Sequence, residues 1–208
     1  MDNRERASEI LDCLCEISAL TNFPRIGWVL AGVRDPESVS DHCFETALLA
    51  YMLSKTINYD FDLGKMLTMA LFHEIGETRL TDLPRRAKPY VKAFKKNAEK
   101  EILFDVMGSF SEDLNTVLTE FEEKETPEAK LVEAAEELQI VFRSLIYAKE
   151  NNGDMSEYRR DVANYSSEGF DIAQDIATII GEKLNMYLNE KHYWEIGYKR
   201  QGDKYGKL

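Results

Sequence analysis

Cysteine is scarce in this chain, and the three residues present, Cys13, Cys15 and Cys43, form no framework of paired bridges. Cys13 and Cys15 lie two apart on an expected helix with Leu14 between them, which is not the spacing of a zinc or dithiol pair. No basic, apolar, small-residue leader opens the chain, so a reducing cytoplasm is the expected location. No apolar run approaches the roughly 18 to 20 residues needed to cross a bilayer, and no membrane partner is expected. Positive charge is in deficit: 26 basic against 38 acidic residues give a net charge of -12. That weighs against a long nucleic-acid duplex as partner, because phosphate binding needs a positive footprint, but leaves room for a small anion held by a metal and a few arginines. Long alternating β-branched stretches, internal repeats, a glycine-rich phosphate loop and low-complexity segments are all missing, so the expected fold class is all-α.

What is present is enough for one sizeable core, since 208 residues are 44% apolar. Helical spacing runs from Arg4 to Leu20 through Ile10, Leu11, Leu14 and Ile17. Thr21 to Val39 mixes Phe23, Pro24, Gly27, Trp28, Gly32 and Pro36 with Arg25 and Arg34, and reads as a loop that wraps a pocket. Ser38 or Ser40 caps the next helix, which continues to about Lys55, and Asp60 or Asp62 starts another. Further helices are expected over Tyr90 to Met107, from Ser111 to the acidic run Glu122 to Glu125, and from Glu128 to about Lys149 after the Thr126-Pro127 start. Asn151 to Asp154 is a break. Ser167 to Tyr187 is helical again, its apolar face serving either the core or a second copy of the chain, and structure is expected to weaken after Trp194.

The stretch from Phe72 to Asp82 sets His73, Glu74, Glu77 and Asp82 beside a strongly apolar helix, a mixture that is costly to bury unless it binds something. His42 lies in the first turns of its own helix. With three histidines in the chain, two at helical sites beside carboxylates point to a borderline divalent metal, since magnesium favours oxygens alone. Glu77 stands where a zinc protease helix needs its second histidine, which argues against that class. Singly, each residue has a plainer role: His42 in the core or a cap, Glu74 on a solvated face, Asp82 capping the turn before Leu83-Pro84. Arg25 and Arg34 are candidates for a bidentate grip on phosphate, and Arg79, Arg85, Arg86 and Lys88 for guiding an anion. His192 looks peripheral.

Phe23-Pro24-Arg25-Ile26-Gly27-Trp28, then Glu37-Ser38-Val39-Ser40-Asp41-His42, His73-Glu74 with Glu77, and Asp82-Leu83-Pro84 together resemble the HD-domain superfamily of metal-dependent phosphohydrolases, in particular its branch of small 5'-deoxynucleotidases. The likeness spans roughly residues 7 to 150. It implies a single helical HD domain over 1–195 with a C-terminal helical extension, and a flexible tail over 196–208. It implies one divalent transition metal (manganese, cobalt, zinc, nickel or iron) on His42, His73, Glu74 and Glu136, the last in Ala129-Lys130-Leu131-Val132-Glu133-Ala134-Ala135-Glu136. The family has aspartate where Glu74 and Glu136 stand. Each added methylene moves the oxygens by about an ångström, whereas metal bonds tolerate about 0.2 Å, so the helices are expected to sit slightly farther apart, or the glutamates to curl or to bind through different oxygens. The resemblance further implies a nucleotide substrate, with Arg25, Trp28, Arg34 and Arg79 as substrate contacts. Arg25 neutralises the phosphate, Asp82 activates water or moves a proton, and Glu77 orients that water, or the last two exchange roles. Ile26 occupies the place where some members carry the aromatic that selects deoxyribose. A homodimer is expected by the same analogy. A phosphodiesterase, a nucleoside triphosphate hydrolase and a nonenzymatic scaffold or nucleotide sensor are the competing expectations.

Overall fold

A computed structural model describes residues 2–205, with side chains described for residues 2–189. All regular structure among the described residues is helical, apart from one antiparallel bridge between Pro24 and Ser38. The helices are α1 Asn3–Ile17, α2 Ile26–Leu30, α3 Val39–Thr56, α4 Leu63–Phe72, α5 Glu77–Leu80, α6 Lys88–Met107, α7 Ser111–Glu123, α8 Pro127–Lys149, α9 Tyr158–Ala163 and α10 Asp171–Tyr205.

The helix starts follow capping chemistry. Ser38, rather than Ser40, accepts from the backbone N–H of Asp41, and Asp41 answers through its own carboxylate, closing a capping box on α3. Asp62 accepts from Lys65 N at α4, and Thr126 accepts from Ala129 N at α8 with Pro127 in the first turn. Asp2 forms a second capping box on α1.

Around α8 the bundle closes: α3, α4, α7 and α10 all pack on it. Small residues at the crossings, among them Ala47, Ala50, Ala70, Ala129, Ala135, Ala173 and Ala177, are buried and let the axes approach. Met66, Met69, Leu131 and Leu138 fill the space between. Ile180 of α10 is buried in this core and Leu184 in a neighbouring cluster with Trp28, Tyr147 and Met155, so that helix face completes the monomer.

Three local features differ from the sequence expectation. The segment read as a wrapping loop contains α2, whose Trp28 is buried with its indole N–H donating to Glu37 Oε1 at 2.6 Å. The helix carrying His73 stops at Phe72, ahead of Gly76. A Cβ at Gly76 would lie 2.6 Å from Glu99 Cγ, so glycine there permits the close approach of α6. The short helix α9 had no apolar periodicity to announce it. The last helix, α10, extends to Tyr205; residues 206–208 and the side chains of His192 and Trp194 lie outside the described residues.

Candidate active site

His42 enters the core from the first turns of α3 and is fully buried, while His73 caps the end of α4. The two rings meet with Nε2 against Nε2 at 3.2 Å. That contact is not an ordinary hydrogen bond, because the other ring nitrogens fix both tautomers. His73 Nδ1 lies 2.9 Å from the Ala70 carbonyl, which can only accept, so Nδ1 carries the proton. His42 Nδ1 lies 2.7 Å from Gln139 Oε1, which also only accepts. Each Nε2 therefore presents a lone pair to the other, and a cation between them resolves the clash. A proton is a poor choice for it: burial, with the charge of Arg25, holds the His42 pKa well below its ordinary value.

Two carboxylates close the cluster. Glu74 follows His73 in the turn after α4, and Glu136 projects from α8; one ligand atom from each of His42, His73, Glu74 and Glu136 lies within 4.8 Å of all the others. Two imidazoles and two carboxylates suit a borderline divalent ion. The longer glutamate side chains thus still converge. Burial opposes the charge of Glu74, but the Arg25 guanidinium beside it outweighs burial and holds the carboxyl below its ordinary value. Burial pushes the Glu136 carboxyl up.

Arg25, at the start of α2, faces the same cluster. Its Nη1 donates to Glu74 Oε1 at 2.8 Å and to Asp82 Oδ1 at 3.2 Å. Asp82 in turn accepts from the backbone N–H of Ile26 through Oδ2, tying the chain after α5 to the start of α2. Thr81, just before it, holds φ 60° and ψ 170°, a region that disfavours a β-branched residue and typically costs on the order of 1–3 kcal/mol. Glu77 is 2% exposed, and its Oε2 has no hydrogen-bond partner among the described residues. Burial, reinforced by the charges of Glu74 and Asp82, pushes its pKa up to about 10.

These groups border a cavity of about 620 Å³, lined by Arg25, Trp28, Glu74, Glu77, Asp82 and Glu136 on the cluster side. Arg85, Arg86, Lys88 and Lys95 add positive charge to its wall, and Tyr158, Asp161 and Asn164 come from around α9. The basic turn between Pro84 and Pro89 is therefore at the cavity.

Two sequence candidates are placed elsewhere. Arg79 turns to the surface and pairs with Glu16 at 3.0 Å and Asp105 at 2.8 Å. Arg34 is exposed, and its backbone N–H and carbonyl bond the side chain of Asn152, which fixes the loop rather than the cavity wall. Trp28 reaches the cavity, but as part of a buried stack, with its ring centroid 4.4 Å from that of Tyr158. Sequence reasoning missed Gln139, Glu37, Lys95 and Tyr158. A glutamine in an acid-rich helix and a tyrosine in an unperiodic segment carry no signal of their own; Glu37 was quoted only as part of a motif.

The HD-domain family model matches residues 17–177, most of the chain. The chain belongs to the HD-domain family. The HD domain described here is 32% identical over 139 residues to the 5'-deoxynucleotidase HDDC2 of Dictyostelium discoideum, covering 63% of this chain and 73% of that protein. It is 26% identical over 159 residues to the 5'-deoxynucleotidase hdd1 of Schizosaccharomyces pombe, covering 71% and 76%. Among solved structures it is similar to a Pyrococcus horikoshii protein with a TM-score of 0.71 and 26% identity, covering 83% of this chain and 99% of that one. No described helix of this HD domain is long and apolar enough to cross a membrane.

Proposed function

We propose that this HD domain is a metal-dependent phosphomonoesterase that removes the 5'-phosphate from deoxynucleoside monophosphates. The observation that carries the reading is the pair of opposed Nε2 lone pairs with Glu74 and Glu136 around them and Arg25 alongside. His42, His73, Glu74 and Glu136 would hold one divalent transition metal, whether manganese, cobalt, zinc, nickel or iron. When bound, that ion supplies Lewis-acid polarisation of a phosphoryl oxygen and a water of lowered pKa.

The chain's own residues do the rest. Arg25 can move its guanidinium from Glu74 and Asp82 onto phosphate oxygens, a charge-assisted contact of matching geometry. Released from Arg25, Asp82 can take a proton from the attacking water or pass one to the departing nucleoside oxygen. Glu77 Oε2, free of protein partners among the described residues, can orient that water. Arg85, Arg86, Lys88 and Lys95 concentrate an anionic substrate at the cavity against the acidic whole. The 620 Å³ cavity is within the size range of small-molecule sites, which fits a mononucleotide.

The names of the relatives favour deoxynucleotides as substrates. Residue 26 is isoleucine rather than the sugar-selecting aromatic of some members, so the nucleotide panel below includes both sugars. The proposed assembly is a homodimer through the outer face of α3, where Phe44, Leu48, Tyr51 and Met52 form an exposed apolar stripe. Three free cysteines fit a cytoplasmic setting. The test is phosphate release from a panel of deoxy- and ribonucleoside 5'-monophosphates by metal-reconstituted protein. Inorganic phosphate is the expected product; pyrophosphate or an opened diester would transfer the site to the triphosphate or diester reaction, and no turnover would end the phosphatase reading.

A further inference from the structure

The buried amide behind His42 has a role that the ligand set alone does not describe. Gln139 is fully buried on α8, and its side chain has two N–H donors and one acceptor. Nε2 lies 2.6 Å from Glu37 Oε2 and 3.0 Å from Glu45 Oε2, so both amide protons are taken by carboxylates. Turning the amide over would set its carbonyl oxygen against two acceptors, which the buried site disfavours strongly.

Those carboxylates are themselves fixed. Arg143 Nε lies 3.0 Å from Glu37 Oε2 and 3.1 Å from Glu45 Oε2, and Arg143 Nη2 also donates to Glu45 Oε1. The Trp28 indole N–H donates to the remaining Glu37 oxygen at 2.6 Å, and Glu37 N donates to the Tyr147 hydroxyl at 2.8 Å. The amide oxygen of Gln139 is thereby directed at His42 Nδ1.

Resting on the metal-centre reading above, we infer that Gln139 is a positioning residue: its amide, locked by Glu37 and Glu45, holds the proton of His42 on Nδ1 and so presents the Nε2 lone pair to the ion. The chain from Arg143 through the two carboxylates and Gln139 to His42 links the segment before α3, α3 itself and α8 behind the metal ligands. A partner of this kind sets ring orientation and tautomer, and its loss typically weakens metal affinity by roughly 10-fold to 100-fold.

Two readouts test this without nucleotide. Long-range proton–nitrogen NMR of metal-free, histidine-labelled protein, which has three histidines to assign, should show His42 protonated at Nδ1. Gln139→Met should lose that single-tautomer signature and bind zinc, measured against a chromogenic chelator, roughly 10-fold to 100-fold more weakly. A natural chain with the His42 proton on Nε2, or a folded Q139M protein whose zinc affinity stays within about twofold, overturns the inference and leaves the phosphatase reading standing. If Q139M does not fold, the tautomer of the natural chain decides. Failure of the natural chain to bind any ion overturns both; absent phosphatase activity with the tautomer and affinity results intact overturns only the function.

Discussion

Replacing Arg25 by methionine separates the two duties of its guanidinium, and the structure gives the size of each. The side chain is 14% exposed and bridges Glu74 at 2.8 Å and Asp82 at 3.2 Å. Removing one partner of an ion pair at that depth costs about 3–5 kcal/mol, because the carboxylates stay buried without compensation. For a chain of this length about 1 kcal/mol moves Tm by about 2–4 °C, so metal-free Arg25→Met should melt about 6–20 °C lower. A saturating divalent ion takes over Glu74 and offsets part of the loss, so it should raise the Tm of the variant by more than that of the natural chain. Turnover should nevertheless fall about 100-fold to 1,000-fold, the usual cost of removing one preorganised donor to a transition-state oxyanion. Scanning calorimetry with chelator and with added ion, paired with a phosphate-release assay, checks all three. A metal-free Tm within about 2 °C of the natural chain, or an ion-induced rise no larger than in that chain, would refute the account of Arg25.

His73→Ala should lose ion and turnover together, checked by metal analysis of the purified protein beside its phosphate release; nucleotide binding that persists unchanged would favour a sensor instead. Glu77→Gln tests the buried acid. A carboxyl whose folded pKa is raised from 4.5 to about 10 gives its full stability below pH 4.5 and loses it as pH climbs toward 10. The variant cannot ionise, so metal-free Glu77→Gln should match the natural chain at pH 4 and exceed it by about 3 kcal/mol at pH 7, read by urea denaturation. Arg79→Ala should leave the urea midpoint close to that of the natural chain and kcat/KM within about twofold, because its pairs with Glu16 and Asp105 are at the surface; a large kinetic loss would return it to the site.

Most of the fold was legible where local chemistry decides it. Ser38, Asp62 and Thr126-Pro127 announced their helices because a cap is written within four residues. The helices α2 and α9 were not, since five or six residues are too few for an apolar period and their stability comes from the packing of Trp28 and Tyr158 on each other. At the site, His42, His73 and Glu74 stood out by residue type. Glu136 did not, because it shares an acid-rich helix with Glu133 and Glu137, and only the family likeness singled it out. The surroundings of Arg34 and Arg79 were not legible, because the partners come from distant sequence: Asn152 ties down the backbone of Arg34, and Glu16 and Asp105 pair with the guanidinium of Arg79. Gln139 was invisible because its meaning lies in Glu37 and Glu45, which are about a hundred residues away.

The central claim is that two opposed imidazole nitrogens and two glutamates enclose one divalent ion. Anomalous diffraction from crystals grown with manganese or zinc tests it most directly. The account predicts a single strong peak within coordination distance of His42 Nε2, His73 Nε2 and carboxylate oxygens of Glu74 and Glu136, about 2.0–2.2 Å for zinc. Crystals with the ion bound elsewhere and no peak between the two histidines would contradict it.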